Sequence, residues 1–267
     1  MIKTKILLII ITALLIVVAC DKDGNSNHVY DNSHFLVDKI YDYNNNLVGD
    51  YYYNEENKLM KIIFTDPIND RRIDYEFEYK NNKVENIKYV EYNQPQFNHN
   101  IIIKYNQLGQ IIKQETYKNG TLVGHQNYKY YSDGKLKCLS DDNGNENYFI
   151  TYNDSGNAIQ VKWYYVDYWL NYGDTIEMYR NFKYDDYPKP NFGINYIFQI
   201  EPLPWFGTEA LLEKNISANN MIEYLESGTK WKFTYNENNQ PEMIETKWKD
   251  IETVDPMLLR IKYKEIK

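Results

Sequence analysis

The chain has 267 residues, 30 basic and 38 acidic, with a formal net charge of −8. An acidic balance argues against nucleic acid and against a polybasic grip on anionic lipid. Two cysteines, Cys20 and Cys138, exclude a disulfide framework, so stability must come from packing, and 28 Tyr, 10 Phe and 5 Trp give that packing its character.

In chain order, Lys3 and Lys5 precede an apolar run from Ile6 to Val18 that ends in Ala19-Cys20. A basic start, a short apolar core and a small residue at the cut describe a secretory signal over residues 1–19. The run is too short for a bilayer span of roughly 20 residues. Cysteine directly after the small residue resembles the lipobox of bacterial lipoproteins, which implies that Cys20 is acylated and heads the mature chain. Removing residues 1–19 leaves 28 basic residues against 38 acidic ones. Residues 20–31 are polar and Gly/Asn-rich, a tether from lipid to fold. Cys20-Asp21-Lys22-Asp23 resembles a signal for export to the outer face of the outer membrane. The implied location is an outer-membrane lipid anchor with the domain on the cell surface, ahead of a periplasm-facing one.

From residue 32 to 267 one β domain is expected. Units headed by Tyr53, Tyr79, Tyr105, Tyr131, Tyr152 and Tyr235 share one pattern: an aromatic closes a strand, an Asn/Asp/Gly cluster turns the chain, and a further strand follows. The first four fall 26 residues apart, the spacing of one hairpin per repeat. Gly is missing from the Tyr53, Tyr79 and Tyr235 units, which predicts a different turn type there. Asp74-Tyr75-Glu76-Phe77-Glu78-Tyr79-Lys80 alternates charge and aromatic, as do Trp231-Lys232-Phe233-Thr234-Tyr235 and Arg260 to Lys264. Such alternation marks antiparallel strands with one packed and one wet face. Cys138 lies in a plausible strand and reads as a small buried hydrophobe.

Asp141-Asp142-Asn143-Gly144 lacks calcium-loop spacing and reads as a tight turn. His28, His34, His99 and His125 have no ligand spacing, Ser155 lies in a turn, and Asp141, Asp142, Asp185 and Asp186 form no evident catalytic pair. No catalytic residue, metal or cofactor is expected. Trp163-Tyr164-Tyr165-Val166-Asp167-Tyr168-Trp169, read as a strand, puts Trp163, Tyr165, Asp167 and Trp169 on one face. An aromatic-acid-aromatic row suits a sugar ring, with Asp167 accepting hydroxyl hydrogen bonds. Asp174-Thr175-Ile176 resembles a short O-glycosylation acceptor, which implies a modified Thr175.

The pattern breaks over about residues 185–220, where Tyr187-Pro188-Lys189-Pro190 and Pro202-Leu203-Pro204-Trp205-Phe206 cannot be central strands. A break of this length is a functional loop or a packing plug, with Trp205 as a second wall of a cleft or as the plug itself. Within it, Glu209 to Asn215 is the best helical window, capped by Thr208.

The Tyr-Asn-x-x-Gly-Lys-Leu units resemble the Tyr-Asp repeats of Rhs-type and wall-associated proteins. The plan from Leu36 to Lys264 is similar to Bacteroidota lipoproteins that carry a domain of unknown function with a porin-like fold. Those chains interrupt their hairpins with a Tyr-Asp-x-x-x-Pro segment and an Asn-Asn pair before a last Phe-x-Tyr-Asn strand. Here these are Tyr184 to Pro188, Asn219-Asn220 and Phe233 to Asn236. The fold expected is all-β: an antiparallel multi-hairpin meander, curled or partly closed into a barrel-like sheet, with one short helix in the late insertion. Outward Lys, Glu, Asp and Asn do not form the apolar band of a transmembrane barrel. The function expected is a non-catalytic, lipid-anchored binding module, with glycan as the ligand that fits. The alternative is a structural lipoprotein docking on an envelope protein complex, and a glycan hydrolase ranks third.

Overall fold

The computed structural model describes residues 34–67, 69–141, 143–167, 174–194, 200, 203, 210–249 and 257–266; at 165–167 and 174 it describes the backbone alone. The signal segment, Cys20, the tether, Asp142, Trp169, Trp205 and Thr208 lie outside the described residues.

The alternation in the sequence becomes strands β1 (Phe35–Tyr41), β2 (Leu47–Tyr53), β3 (Leu59–Asp66), β4 (Arg71–Lys80), β5 (Lys83–Glu91) and β6 (His99–Tyr105). Next come β7 (Ile111–Lys118), β8 (Thr121–Tyr130), β9 (Leu136–Ser140), β10 (Glu146–Tyr152), β11 (Ala158–Asp167) and β12 (Asp174–Pro188). After the insertion come β13 (Asn219–Tyr224), β14 (Thr229–Tyr235), β15 (Pro241–Lys247) and β16 (Met257–Glu265). Each pairs antiparallel with its sequence neighbours, and β16 returns to β1, so sixteen strands close a barrel. Closure is complete rather than partial, with Phe35 opposite Glu265 and Tyr41 opposite Arg260. It leaves no sheet edge to template aggregation.

One face of each strand is packed: Ile40, Leu59, Ile62, Ile87 and Val161 are fully buried, and Cys138 joins them among the buried residues. The outer face carries ion pairs across neighbouring strands. Glu76 of β4 takes Lys61 of β3 at 3.2 Å and Lys88 of β5 at 3.5 Å. Lys39 meets Asp50 at 3.0 Å, Lys104 meets Glu115 at 2.8 Å, and Lys183 meets Glu223 at 2.8 Å. Paired charges thus recur on this face from β1 to β13.

The turns follow two designs. In the longer one an Asn or Asp opens the turn and its side-chain oxygen accepts the amide four residues on, as in Lys58 to Asn54 (2.9 Å), Gln110 to Asn106 (3.0 Å) and Gln240 to Asn236 (3.0 Å). The fourth residue is left-handed, and Asn57 (φ 60°) and Asn239 (φ 57°) do what Gly109 and Gly156 do elsewhere. The Tyr53 and Tyr235 units therefore share the turn of the Gly-containing units. Only the Tyr79 unit differs as expected: Asn81 and Asn82 are both left-handed, a two-residue type I′ turn.

The described ends of the insertion are packed. The Asn191 carbonyl accepts the Val37 amide of β1 at 2.8 Å, and Phe192 packs on Tyr51 of β2 with ring centres 5.5 Å apart. Gly193 (φ +70°) passes beneath the β2–β3 turn, where a Cβ would meet the Asn57 carbonyl at 3.0 Å. Helix α1 (Leu211–Ile216) begins after Ala210, two residues later than the sequence window, with no side-chain cap. Its C-terminal carbonyls, those of Lys214 and Asn215, both accept the Lys189 ammonium at 2.9 Å, which satisfies a buried helix end. Ser217 then accepts the Ala158 amide of β11 at 2.9 Å. The described parts of the insertion thus meet β1 and β2 at one end and β11 at the other.

Candidate functional site

The repeated tyrosines build the frame that exposes the site. Tyr53, Tyr79, Tyr105, Tyr130, Tyr152, Tyr184 and Tyr235 each sit at a shift in the ladder to the following strand. A bulge re-aims a side chain. Six of these rings pack against the core, where the hydroxyl needs an acceptor. It finds one on the partner strand of its own hairpin: Tyr53 on Val37 (2.7 Å), Tyr79 on Leu59 (2.9 Å), Tyr105 on Val84 (2.8 Å) and Tyr130 on Ile111 (2.6 Å). Tyr152 on Leu136 (3.0 Å), Tyr184 on Ala158 (2.9 Å) and Tyr263 on Pro241 (2.7 Å) complete the set. Every acceptor is a backbone carbonyl on an apolar residue near the start of the odd-numbered strand. Burial pushes the Tyr79 and Tyr105 phenols up to about 12. The fourth staple is Tyr130, one residue before the Tyr131 expected from the spacing; Tyr131 takes the turn position that Asn106 fills one repeat earlier.

Tyr235, in the seventh hairpin, breaks the rule. Its hydroxyl donates to the carboxylate of Asp185 on β12, two strands away. Asp185 also accepts the Tyr187 amide at 3.0 Å, the Asn220 amide at 3.2 Å and the Asn220 side-chain amide at 3.4 Å. That side-chain amide further reaches the Tyr187 and Pro188 carbonyls at 3.2 and 3.1 Å and the Tyr235 oxygen at 3.3 Å. Burial raises the Asp185 pKa, and the hydrogen bonds from Tyr235, Tyr187 and Asn220 oppose it.

Two irregularities make this reach possible. The β12–β13 ladder jumps from Tyr184↔Met221 to Pro188↔Asn219, so residues 185–187 bow out of register. The β13–β14 hairpin holds only Glu223↔Lys230 and Tyr224↔Thr229 before its strands part. Between them lies a groove of about 470 Å³. Its wall is a run of near-parallel rings, Tyr187 on Tyr235 (4.0 Å, 24°) and Tyr235 beside Phe233 (6.3 Å, 23°), with buried Trp231 beneath. Its rim carries Lys230, Lys232, Lys247, Glu223 and Glu245. Parallel rings with charged and amide groups beside them can stack a flat apolar ligand face and hydrogen-bond its edge.

The three sequence segments that break the repeat, Tyr184 to Pro188, Asn219-Asn220 and Phe233 to Asn236, meet at this point. Of the residues singled out for ligand binding, the described ones, Trp163 and the backbone of Tyr165 and Asp167, lie on β11. Trp163 is half-buried on the core side of β11; the Arg180 guanidinium lies 4.6 Å from its ring and Tyr148 packs at 6.3 Å. Tyr148 in turn donates to Glu213 of α1, whose carboxyl burial raises. Tyr165 and Asp167 are backbone positions of β11 opposite Ile176 and Asp174, and Tyr164 presents an exposed ring on the other face. Trp169 and Trp205 are outside the described residues, as is Cys20. Thr175 is exposed on β12 opposite Val166. Among the described residues no group of His, Cys, Asp and Glu could hold a metal ion. Sequence reasoning passed over Tyr187, Phe233 and Lys232. The available signal was that β13 opens on Asn219-Asn220, where the other odd strands offer an apolar residue for the staple.

No family model and no curated protein match the sequence. Among solved structures, a porin-like protein from Bacteroides uniformis matches at 15% identity and a TM-score of 0.46, over 81% of this chain and 90% of that one. A porin-like protein from Bacteroides vulgatus matches at 10% identity and 0.37, over 85% and 98%. A Photorhabdus luminescens Tc holotoxin pore structure matches at 13% and 0.30, over 79% of this chain and 10% of that one. Likeness at this level carries no argument about function.

Proposed function

We propose that the protein is a lipid-anchored binding module of the cell envelope, held at the outer membrane through Cys20 and facing outward, that captures a glycan without cleaving it. The observation that supports this reading is the seventh hairpin: the one place among the described residues where the staple is redirected is also where the wall opens on a ring-lined groove. A pyranose offers an apolar face to stacked rings and hydroxyls to Asn220, Asp185 and the lysines. Asp185 is engaged by four donor groups of Tyr235, Tyr187 and Asn220, a structural posture that leaves it poorly placed to act as a general acid. The anchor rests on Lys3, Lys5, the Ile6–Val18 run and Ala19-Cys20.

The test is a glycan array probed with the detergent-solubilised full chain, followed by titration of the tryptophan fluorescence. Retention of a glycan that Tyr187→Ala and Phe233→Ala each weaken about tenfold is the expected result, one lost ring contact being worth ~1 kcal/mol or more. Binding that ignores both substitutions would remove the groove from the proposal. Proteinase treatment of intact cells tests the anchor: digestion is expected for the native chain, while Cys20→Ala should leave the membrane fraction.

A further inference from the structure

The groove's charge narrows the ligand class beyond the carbohydrate reading, on which this step rests. The chain is acidic overall, 30 basic residues against 38 acidic. The groove's own lining is balanced, with Lys230, Lys232 and Lys247 against Asp185, Glu223 and Glu245. The rim carboxylates are already engaged. Glu223 takes Lys183 at 2.8 Å and Lys230 at 3.5 Å, so two ammonium groups share one acid. Glu245 takes Lys247 at 2.9 Å, although Lys232 is its partner across the ladder. Lys232 is exposed and has no ion pair among the described residues. Asp185 is turned onto Tyr235, Asn220 and the Tyr187 amide. Lys232 is therefore the rim ammonium left without an acid partner among the described residues; it alternates along β14 with Trp231, Phe233 and Tyr235 and lines the same groove as their rings.

We infer that the groove takes an acidic saccharide, a uronic acid or sulfated sugar, whose ring stacks on Tyr187, Tyr235 and Phe233 and whose anion meets Lys232 and Lys230. Charge of this kind is sensitive to salt, since exposed pairs are screened over ~8 Å at physiological ionic strength. Stacking is not, so the two contributions separate in one titration.

The experiment titrates the detergent-solubilised full chain with uronate oligomers, the same oligomers as methyl esters, sulfated oligomers and their desulfated forms, at low and at moderate salt. Tighter binding of the charged member of each pair, weakened by salt and lost about tenfold in the K230Q/K232Q variant, is expected; two exposed charge contacts of ~0.7 kcal/mol each amount to that factor. Equal binding of charged and neutral members, with Phe233→Ala still weakening both, overturns the acidic class and leaves the carbohydrate reading intact. Failure of every saccharide on the array overturns both. Both lysines are exposed, and an unchanged unfolding midpoint shows that a lost signal is not lost folding.

Discussion

In the β9–β10 hairpin, Tyr152 turns inward at its bulge and its hydroxyl closes on the Leu136 carbonyl at 3.0 Å. In the β13–β14 hairpin, Tyr235 sits at the same kind of bulge and closes on a carboxylate brought from β12. The first arrangement is local: strand, turn and staple belong to one hairpin and need nothing beyond it. The second is shared among three strands, and it stands where the ladder has stopped after two pairs. A regular staple shuts the wall, whereas the redirected one holds it apart at a fixed width. Function is therefore expected at the seventh hairpin, where several residues from distant segments must agree.

The largest effect should come from breaking that agreement. Asp185→Ala leaves the Tyr235 hydroxyl, the Tyr187 amide and the Asn220 amide without their acceptor in a partly buried setting. Each orphaned donor costs ~1–3 kcal/mol, so a loss of about 3 kcal/mol is expected in urea unfolding, along with loss of ligand. A cost below ~1 kcal/mol would mean that the clasp is incidental. Tyr152→Phe should cost less, ~1–2 kcal/mol for one backbone carbonyl left unsatisfied, and should leave ligand affinity unchanged. Equal effects of the two variants on binding would erase the distinction between the hairpins.

The two arrangements also differ in pH response. Carbonyl staples do not titrate below the range of tyrosine. Asp185 does, and burial sets its folded pKa above that of the unfolded chain. The folded state then binds the proton more tightly, so the group's contribution is fully present below the unfolded pKa of about 3.9 and is lost as pH rises through the folded value. Relative to Asp185→Asn, which cannot titrate, the native chain is expected to lose stability as pH rises above about 4. Other carboxylates that the fold holds low, such as Glu115 beside Lys104, move the opposite way but cancel in the difference. A flat difference curve would show that the hydrogen bonds to Asp185 outweigh its burial.

Most of the frame was legible in the sequence because it is local. Tyr, Asn, Gly and an aliphatic at fixed offsets encode turn, bulge and staple within about ten residues, and alternation marks which face packs. One-residue ambiguity remained where two tyrosines adjoin, as at Tyr130-Tyr131, since only the bulge decides which ring turns inward. The insertion was legible as a break, yet its path was not, because the contacts of Phe192 with Tyr51 and of Ser217 with Ala158 join segments far apart in the chain. The groove was hidden for the same reason. Asp185, Asn220 and Tyr235 stand apart in the sequence, and register shifts, which no single-strand pattern carries, bring them together. Trp163 drew notice by its composition, but packing set it beside Arg180.

The smallest effect tests the local code itself. Gly134 (φ +89°) holds the left-handed turn position between β8 and β9, and a Cβ there would meet only the Gln110 side-chain amide at 3.7 Å. Asn57 and Asn239 hold the equivalent position in other hairpins at φ 60° and 57°. If the position demands only a left-handed backbone, Gly134→Asn should change stability by no more than ~0.5 kcal/mol, since Asn tolerates that region at little cost. Gly193→Asn has the same backbone sign, yet it would drive a Cβ to within 3.0 Å of the Asn57 carbonyl and 3.1 Å of the Tyr53 ring. That substitution should cost ~2 kcal/mol, the added part being the clash alone. Unfolding midpoints for the pair separate the two causes. Equal costs would mean that the insertion yields to a side chain as readily as an open turn does, and would weaken the view that it is packed against the β2–β3 turn.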